Sequence, residues 1–320
     1  MMTDREKIIA VLQNEKAFNL ISHMQPDGDS VGSLLSMGKG LQSLGKTVQM
    51  FIPGFIPNRY TFLEGTDKVN AELGQFDTTA TTITLDSSDE DRLDYFKETV
   101  MNSKKVINID HHVTNQRFGH YNLVDGEAAA TGEIVYRLLL ELKVEITAAI
   151  AESIYVAIAT DTGSFKYENT TSATHRVIAS LLEHGVNPSR LAQKIFDDHP
   201  LPFYTLLKEA ISSLEINREK GLAIMTLSRD IRERSGARPD QLEGIVNYSR
   251  NLEGVELGIL FYVDGPREVK VGFRSKTIDV SVLAEKFNGG GHSRAAGCRI
   301  YENFETAKRK VLHEVEAMLQ

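Results

Sequence analysis

Short apolar runs alternate with amphipathic stretches through the first half of the chain. Segments 46–52, 81–85 and 105–109 are rich in β-branched and apolar residues and have strand length. Segments 30–44, 131–142, 147–160 and 173–184 carry helical periodicity, and Gly45 and Gly185 close the first and last of them. Such alternation predicts a mostly parallel sheet with helices on both faces. Residues that directly follow its strands would gather at the carboxyl edge, where open α/β sheets bind ligands.

The pattern changes after residue 187. Pro188, Pro200 and Pro202 flank a helical stretch that reads as a hinge. From Gly221 the chain predicts a strand at 222–227, a helix at 239–248 and two strands at 255–263 and 269–273. Asp264-Gly265-Pro266 joins those two strands as a hairpin signal. A helix at 280–287, a glycine turn, a strand at 298–301 and a helix at 304–319 complete it. The expected fold class is therefore α/β with two domains. An N-terminal domain (1–187) holds a mostly parallel sheet flanked by helices. A helical linker (188–214) leads to a smaller C-terminal α/β domain (215–320), with a cleft between the two. No repeat, low-complexity tract or heptad run interrupts this reading.

Composition narrows the class. At 41% hydrophobic and 25% charged, the 320 residues suit a globular protein with real cores. The single cysteine, Cys298, allows no internal disulfide and suits a reducing compartment; its apolar strand marks it as core rather than nucleophile. No apolar run approaches the ~20 residues that span a bilayer, and no signal-peptide core is visible, so a cytoplasmic location is expected. The net charge of −8 argues against a nucleic-acid coat, and it is uneven. Residues 1–214 carry 19 Lys/Arg against 28 Asp/Glu, a balance of −9, and residues 215–320 carry 17 against 16, a balance of +1. The second part is the better suited to receive an anion.

Four acidic clusters sit where an apolar run ends or a tight turn begins: His23 to Asp29, Asp86, Asp110-His111-His112, and Asp161. Together they supply imidazole nitrogens and carboxylates of the kind that hold two divalent metals. Each has a plainer reading alone. Asp27 and Asp29 flank Gly28 and could aim at one point, or one could cap the following helix while the other is solvated. Asp86 alone could be a loop cap. Two adjacent histidines after a buried strand let one imidazole bind metal and the other meet substrate, with Asp110 orienting a ring. Asp161 closes a long apolar helix, where its charge opposes the helix dipole unless a cation is near. A fifth feature is Gly289-Gly290-Gly291-His292-Ser293-Arg294. Its backbone N–H groups and basic side chains suit a phosphate, with Arg274-Ser275-Lys276 as a second basic cluster, although a flexible glycine turn is the plain alternative. His120, His175, His184, His199 and His313 have no ligand spacing.

Taken together, His23-x-x-Pro26-Asp27-Gly28-Asp29, Asp86, Asp110-His111-His112, Asp161 and the Gly-Gly-Gly-His292 run resemble the DHH phosphoesterase superfamily with its DHH-associated C-terminal domain. Within it the compact two-domain chains of the oligoribonuclease/pAp phosphatase group (nanoRNases) are the most similar. The resemblance implies two Mn²⁺ ions, with Mg²⁺ or Co²⁺ as substitutes. His23, Asp27 and Asp86 would hold one ion and Asp29, Asp86, His111 and Asp161 the other, so that Asp86 bridges. It implies hydrolysis of very short oligoribonucleotides to mononucleotides and of pAp to AMP by two-metal activation of a hydroxide. Asp86, Asp110 and His112 would be catalytic, His112 serving the leaving group. Arg274, Ser275, Gly289, Gly290, Gly291, His292 and Arg294 would hold substrate. Expected partners are short oligonucleotides and adenine bisphosphates, with no long duplex and no membrane, and a homodimer by analogy. A soluble cyclic di-AMP or pApA phosphodiesterase, a RecJ-like exonuclease, an inorganic pyrophosphatase and a non-catalytic nucleotide-binding regulator are the alternatives.

Overall fold

The computed structural model describes residues 2–74, 76–242 and 244–319, and the chain forms two compact units that divide between Asp198 and His199. That boundary falls inside the proline-flanked stretch expected to be a hinge.

In the first unit, α1 (Asp4–Asn14) precedes β1 (Ala17–Ser22), α2 (Gly28–Ser43), β2 (Thr47–Phe51), β3 (Val69–Asn70) and β4 (Thr81–Leu85). Next come α3 (Lys97–Met101), β5 (Lys105–Asp110), β6 (Tyr121–Val124), α4 (Thr131–Glu141), α5 (Ala148–Asp161), α6 (Ser172–Glu183) and α7 (Pro188–Ala192). The strands are all parallel and lie in the order β3-β2-β1-β4-β5-β6. The order reverses between β1 and β4, which opens a crevice at their carboxyl ends. Alternate residues face opposite layers. Leu20, Ile83 and Ile107 join the core with α2, α4 and α5. Ile21, Phe51 and Val106 meet Leu93, Phe96 and Val100 on the other face.

Helix α5 is apolar on every side because α2, α4 and α6 surround it. Its approach to α2 is backbone-close. A Cβ on Gly32 would lie 2.3 Å from the Ser153 carbonyl oxygen, and one on Gly28 would lie 2.4 Å from the Thr160 side chain. These two glycines let the start of α2 and the end of α5 meet.

The second unit contains α8 (Leu201–Ser212), β7 (Glu215–Asn217), β8 (Leu222–Ser228), α9 (Arg229–Ser235), α10 (Asn247–Arg250), β9 (Leu257–Gly265) and β10 (Glu268–Ser275). It ends with α11 (Ser281–Glu285), β11 (Gly290–His292), β12 (Ala295–Ile300) and α12 (Phe304–Met318). Its sheet runs β11-β12-β10-β9-β8-β7, with β8 and β9 parallel and the other neighbours antiparallel. Period-two burial again separates two layers. Leu222, Ile224, Ile259 and Phe261 pack with α11 and α12, whereas Met225, Leu227, Leu260 and Tyr262 pack with Phe203 and Leu206 of α8. Helix α8, read from sequence as part of a linker, is thus built into this unit's core.

Two local expectations are revised. The helix expected over 239–248 is a 3₁₀ turn at Pro239–Leu242 followed by α10, and Glu243 within it lies outside the described residues. The glycine turn is strand β11, antiparallel to β12. A Cβ on Gly289 would sit 2.2 Å from the Gly297 carbonyl oxygen, and one on Gly291 (φ +139°) 2.5 Å from that of Ala295. Strand packing requires those two glycines, while Gly290 faces open space.

Cys298 lies in β12 against the second core. Burial pushes its thiol up to about 12. Native protein at pH 8 is therefore expected to react with a thiol reagent on the order of 1000-fold slower than the unfolded chain. Immediate labelling of the native protein would show the thiol to be accessible and disprove this placement.

Candidate active site

The crevice between β1 and β4 collects the acidic clusters. His23 follows β1, and Asp27 caps α2 by accepting from Ser30 N at 3.0 Å. Asp29 lies in the first turn of α2. Asp86 follows β4, Asp110 ends β5, His111 and His112 follow it, and Asp161 is the last residue of α5. All eight N-terminal side chains expected to bind metal or react, His23, Asp27, Asp29, Asp86, Asp110, His111, His112 and Asp161, converge here, with Asp27 at the rim.

Two backbone outliers frame the crevice. Gln25 and Asp86 hold left-handed φ values of +54° and +59°. Such values are uncommon off glycine and are concentrated at functional sites. For Asp86 the conformation is fixed by its N–H, which donates to the Ile109 carbonyl at 3.0 Å.

The donors fall into two sets that could each hold a cation. His23, Asp27 and Asp86 offer atoms within 4.8 Å of one another, and so do Asp29, His111 and Asp161. His23 Nε2 lies 3.3 Å from Asp86 Oδ2, and His111 Nε2 lies 3.0 Å from Asp161 Oδ2, 3.7 Å from Asp29 Oδ2 and 3.8 Å from Asp86 Oδ1. Tautomers follow from the second nitrogens. His23 Nδ1 is 2.7 Å from the Met24 carbonyl and His111 Nδ1 is 3.2 Å from that of Ala128, so each must donate there. In the neutral rings that a cation requires, each Nε2 would then present a lone pair among these carboxylates. Nε2 of His23 is buried without a hydrogen-bond partner among the described residues, the condition that a cation between it and Asp86 would satisfy.

The electrostatics point the same way. Burial, and then the Asp86 and Asp161 carboxylates, push Asp29 well above the usual carboxylate range. Burial would raise Asp86 too, but His23, His112 and His111 around it outweigh burial and hold it well below. His111 is drawn down by burial and carried well above its ordinary value by Asp161, Asp29 and Asp86. The cluster holds more negative charge than its imidazoles offset.

Supporting residues include several that the sequence alone did not single out. Fully buried Asp29 accepts from Thr131 N at 2.6 Å, Gly132 N at 2.9 Å and Ser33 Oγ at 2.9 Å. It therefore caps α4, whose own N-cap, Ala130, has no side chain to do so. Thr131 Oγ1 donates to Asp86 Oδ1 at 3.0 Å. His112 Nδ1 meets Asp110 Oδ1 at 2.7 Å, and Asn115 Nδ2 donates to Asp110 Oδ2 at 2.6 Å. An uncapped helix beginning Ala-Thr-Gly was the available signal for Asp29's second task. Nothing in the sequence marked Asn115.

The residues expected to hold substrate in the second unit also come together. Arg274 pairs in register with Ala295, Ser275 N donates to the Arg294 carbonyl at 3.2 Å, and His292 pairs with Ala295 across β11 and β12. Arg274 Nε is held by Asn247 Oδ1 at 3.1 Å, and Arg294 Nη1 donates to the Thr277 carbonyl at 2.5 Å.

Residues 18–158 match the model of the DHH family N-terminal domain, and residues 219–320 match the DHHA1 domain. The chain is 33% identical over 302 residues to the bifunctional oligoribonuclease and PAP phosphatase NrnA of Thermus thermophilus, covering 94% of this chain and 89% of that one. A solved exopolyphosphatase-related protein from Bacteroides fragilis superposes with a TM-score of 0.89 at 24% identity, covering 98% of this chain and 95% of that one. RecJ from Thermus thermophilus in complex with Mn²⁺ shares the fold at a TM-score of 0.52 and 16% identity, over 99% of this chain and 54% of that one. Fold, site and matches together define a phosphoesterase, a hydrolase acting on phosphate ester bonds. The chain belongs to the DHH family and carries the DHHA1 domain at its C-terminal end. Among the described residues no helix is long and apolar enough to cross a membrane.

Proposed function

We propose that this phosphoesterase cleaves very short oligoribonucleotides to mononucleotides and pAp to AMP, using two divalent metal ions. The observation that carries the metal assignment is the meeting of two donor sets at Asp86: His23, Asp27 and Asp86 on one side, Asp29, Asp86, His111 and Asp161 on the other. Mn²⁺ fits this mixture of imidazole and carboxylate, with Mg²⁺ or Co²⁺ as substitutes. Bound there, such ions would supply a water of lowered pKa and offset charge on the phosphoryl oxygens. The substrate assignment rests on the Thermus relative.

The protein's own groups have separate tasks. Asp110, braced by Asn115, fixes the tautomer and direction of His112. Burial lowers the His112 pKa, yet Asp110 and Asp86 raise it above its ordinary value, which suits a group that gives a proton to a departing oxygen. In the second unit, Arg274, Ser275, His292, Arg294 and the backbone of Gly289, Gly290 and Gly291 would bind phosphate.

Incubation with Mn²⁺ and, separately, pAp, a short RNA ladder, cyclic di-AMP and pyrophosphate tests the reading. The expected products are AMP from pAp and mononucleotides from the shortest RNAs, lost in EDTA and restored by Mn²⁺. Faster turnover of cyclic di-AMP or pyrophosphate overturns the substrate assignment. Arg274→Ala is expected to raise KM for pAp roughly 10- to 100-fold while leaving Mn²⁺ binding intact. An unchanged KM removes Arg274 from the phosphate-binding group.

A further inference from the structure

Arg92 lies on a loop beside the candidate active site and has no anionic partner among the described residues. It lies in the 3₁₀ segment Glu90–Phe96, six residues after Asp86. Its carbonyl accepts from Met24 N at 2.9 Å, which ties the segment to the turn carrying His23 and Asp27. The same loop is tied on its other side to the segment after His112: Gln116 N donates to the Ser88 carbonyl at 2.8 Å, and Asn115 Nδ2 to that of Ser87 at 3.1 Å. Arg92 therefore sits on a loop pinned between two parts of the site.

The three acids just before it in sequence are engaged elsewhere. Asp89 accepts from the Arg92 backbone N–H at 3.1 Å and from Ser88 Oγ at 2.8 Å. Glu90 and Asp91 both pair with Lys97, at 2.8 and 2.6 Å. Nε of Arg92 is buried, and it meets no hydrogen-bond acceptor among the described residues. A buried guanidinium N–H without an acceptor is costly, since desolvation is not returned by a partner. Arg92 is half-buried, and its Nε is held out of water on a loop whose backbone is tied to the turn carrying His23 and Asp27.

We infer that Arg92 is a phosphate-binding residue of the first unit, its guanidinium taking a non-bridging oxygen of the substrate phosphate at the Asp86 centre. This rests on the phosphoesterase reading of that site. It differs from the anion group of the second unit, which shares no residue with it. Arginine is the side chain suited to this task, because its planar fork matches two oxygens of one phosphate and stays charged at any working pH. The carboxylate-rich site repels an incoming anion, and a fixed cation on its rim reduces that repulsion.

The test uses the full chain loaded with Mn²⁺, with Arg92→Met and Arg92→Lys as variants. Methionine keeps the unbranched stem and removes the charge. Inorganic sulfate serves as the oxyanion probe, with sodium chloride at matched ionic strength as control. Sulfate is expected to raise the melting temperature of the wild type more than that of Arg92→Met, the response left in the variant coming from the second unit's anion group. Without sulfate, Arg92→Met should melt at or above the wild type, because it loses an unsatisfied buried donor. KM for pAp should rise roughly 10- to 100-fold in Arg92→Met with kcat little changed, and Arg92→Lys should fall between. Equal sulfate responses in wild type and Arg92→Met overturn the inference. So does a variant that melts well below the wild type without sulfate, which would make the guanidinium a structural group. If no nucleotide is cleaved but the sulfate response still depends on Arg92, the substrate assignment fails and the phosphate-binding role stands.

Discussion

Asp86→Asn is expected to lower kcat by roughly 10³- to 10⁵-fold, the largest effect of any single change. Asp86 is the one carboxylate that faces both donor sets, with Oδ2 toward His23 and Oδ1 within 3.8 Å of His111. Under the two-metal reading its loss weakens both ions at once, a loss of several kcal/mol of transition-state stabilisation, and each 1.36 kcal/mol is tenfold in rate. Asparagine is the informative replacement. It keeps the size, can still accept from Thr131 Oγ1, and tolerates the left-handed backbone at φ +59° better than alanine does. The fold should persist in circular dichroism, while calorimetry should show weakened Mn²⁺ binding and a smaller rise in melting temperature on adding the metal. Two Mn²⁺ ions bound at wild-type affinity, with activity within about tenfold of wild type, would remove Asp86 from the bridge.

The second large effect is on stability. Gly32→Ala should cost about 2–3 kcal/mol, a fall of roughly 4–12 °C in melting temperature. Its Cβ would meet the Ser153 carbonyl oxygen at 2.3 Å and Ala157 Cβ at 2.9 Å, backbone and short side chain that have no rotamer to yield. Relief requires α2 and α5 to separate, which draws Asp29 away from Asp161 and weakens Mn²⁺ binding as well as stability. Gly74→Ala is the control, because a Cβ there meets nothing within 4 Å. If the two variants melt alike, the close approach does not hold the helices.

The gathering of the candidate site residues was legible because chemistry and topology coincide at chain positions that look distinctive. Asp86 and Asp110 stand directly after or at the end of apolar runs, and parallel sheets place such residues at one edge. The strand that leads to His23 was less visible. Ala17–Ser22 follows α1 after a short connection, and Asn19 breaks its apolar run, although that side chain is buried and donates to the Asp77 carbonyl. Strand β6 is only half-buried along its length, so it carries no clear period. What the sequence could not convey is tertiary satisfaction. The N–H groups of Thr131 and Gly132 reach Asp29 across about a hundred residues, and their identity as donors is independent of side chain.

The glycine run shows the opposite difficulty. Gly289-Gly290-Gly291 suggested a loop free to wrap a phosphate, yet Gly289 and Gly291 are required by the closeness of β12 and only Gly290 is unconstrained. A run of glycines states that backbone must come near something; it does not state whether that is a ligand or another strand. Arg92 escaped notice for a related reason. Its sequence neighbours Asp89, Glu90 and Asp91 look like natural partners, and only the structure shows all three committed elsewhere.

The scattering of the active-site side chains from His23 to Asp161 has a consequence for how the protein comes into being. At typical synthesis rates, between about 7 and 27 seconds separate the emergence of Asp27 from that of Asp161. During that interval a growing chain displays single acids and imidazoles, each too weak to retain an ion on its own. The helix that ends in Asp161 is also the apolar core that α2, α4 and α6 enclose. The last of these side chains therefore emerges with the helix at the centre of the hydrophobic interior, and that interior closes only when α6 follows.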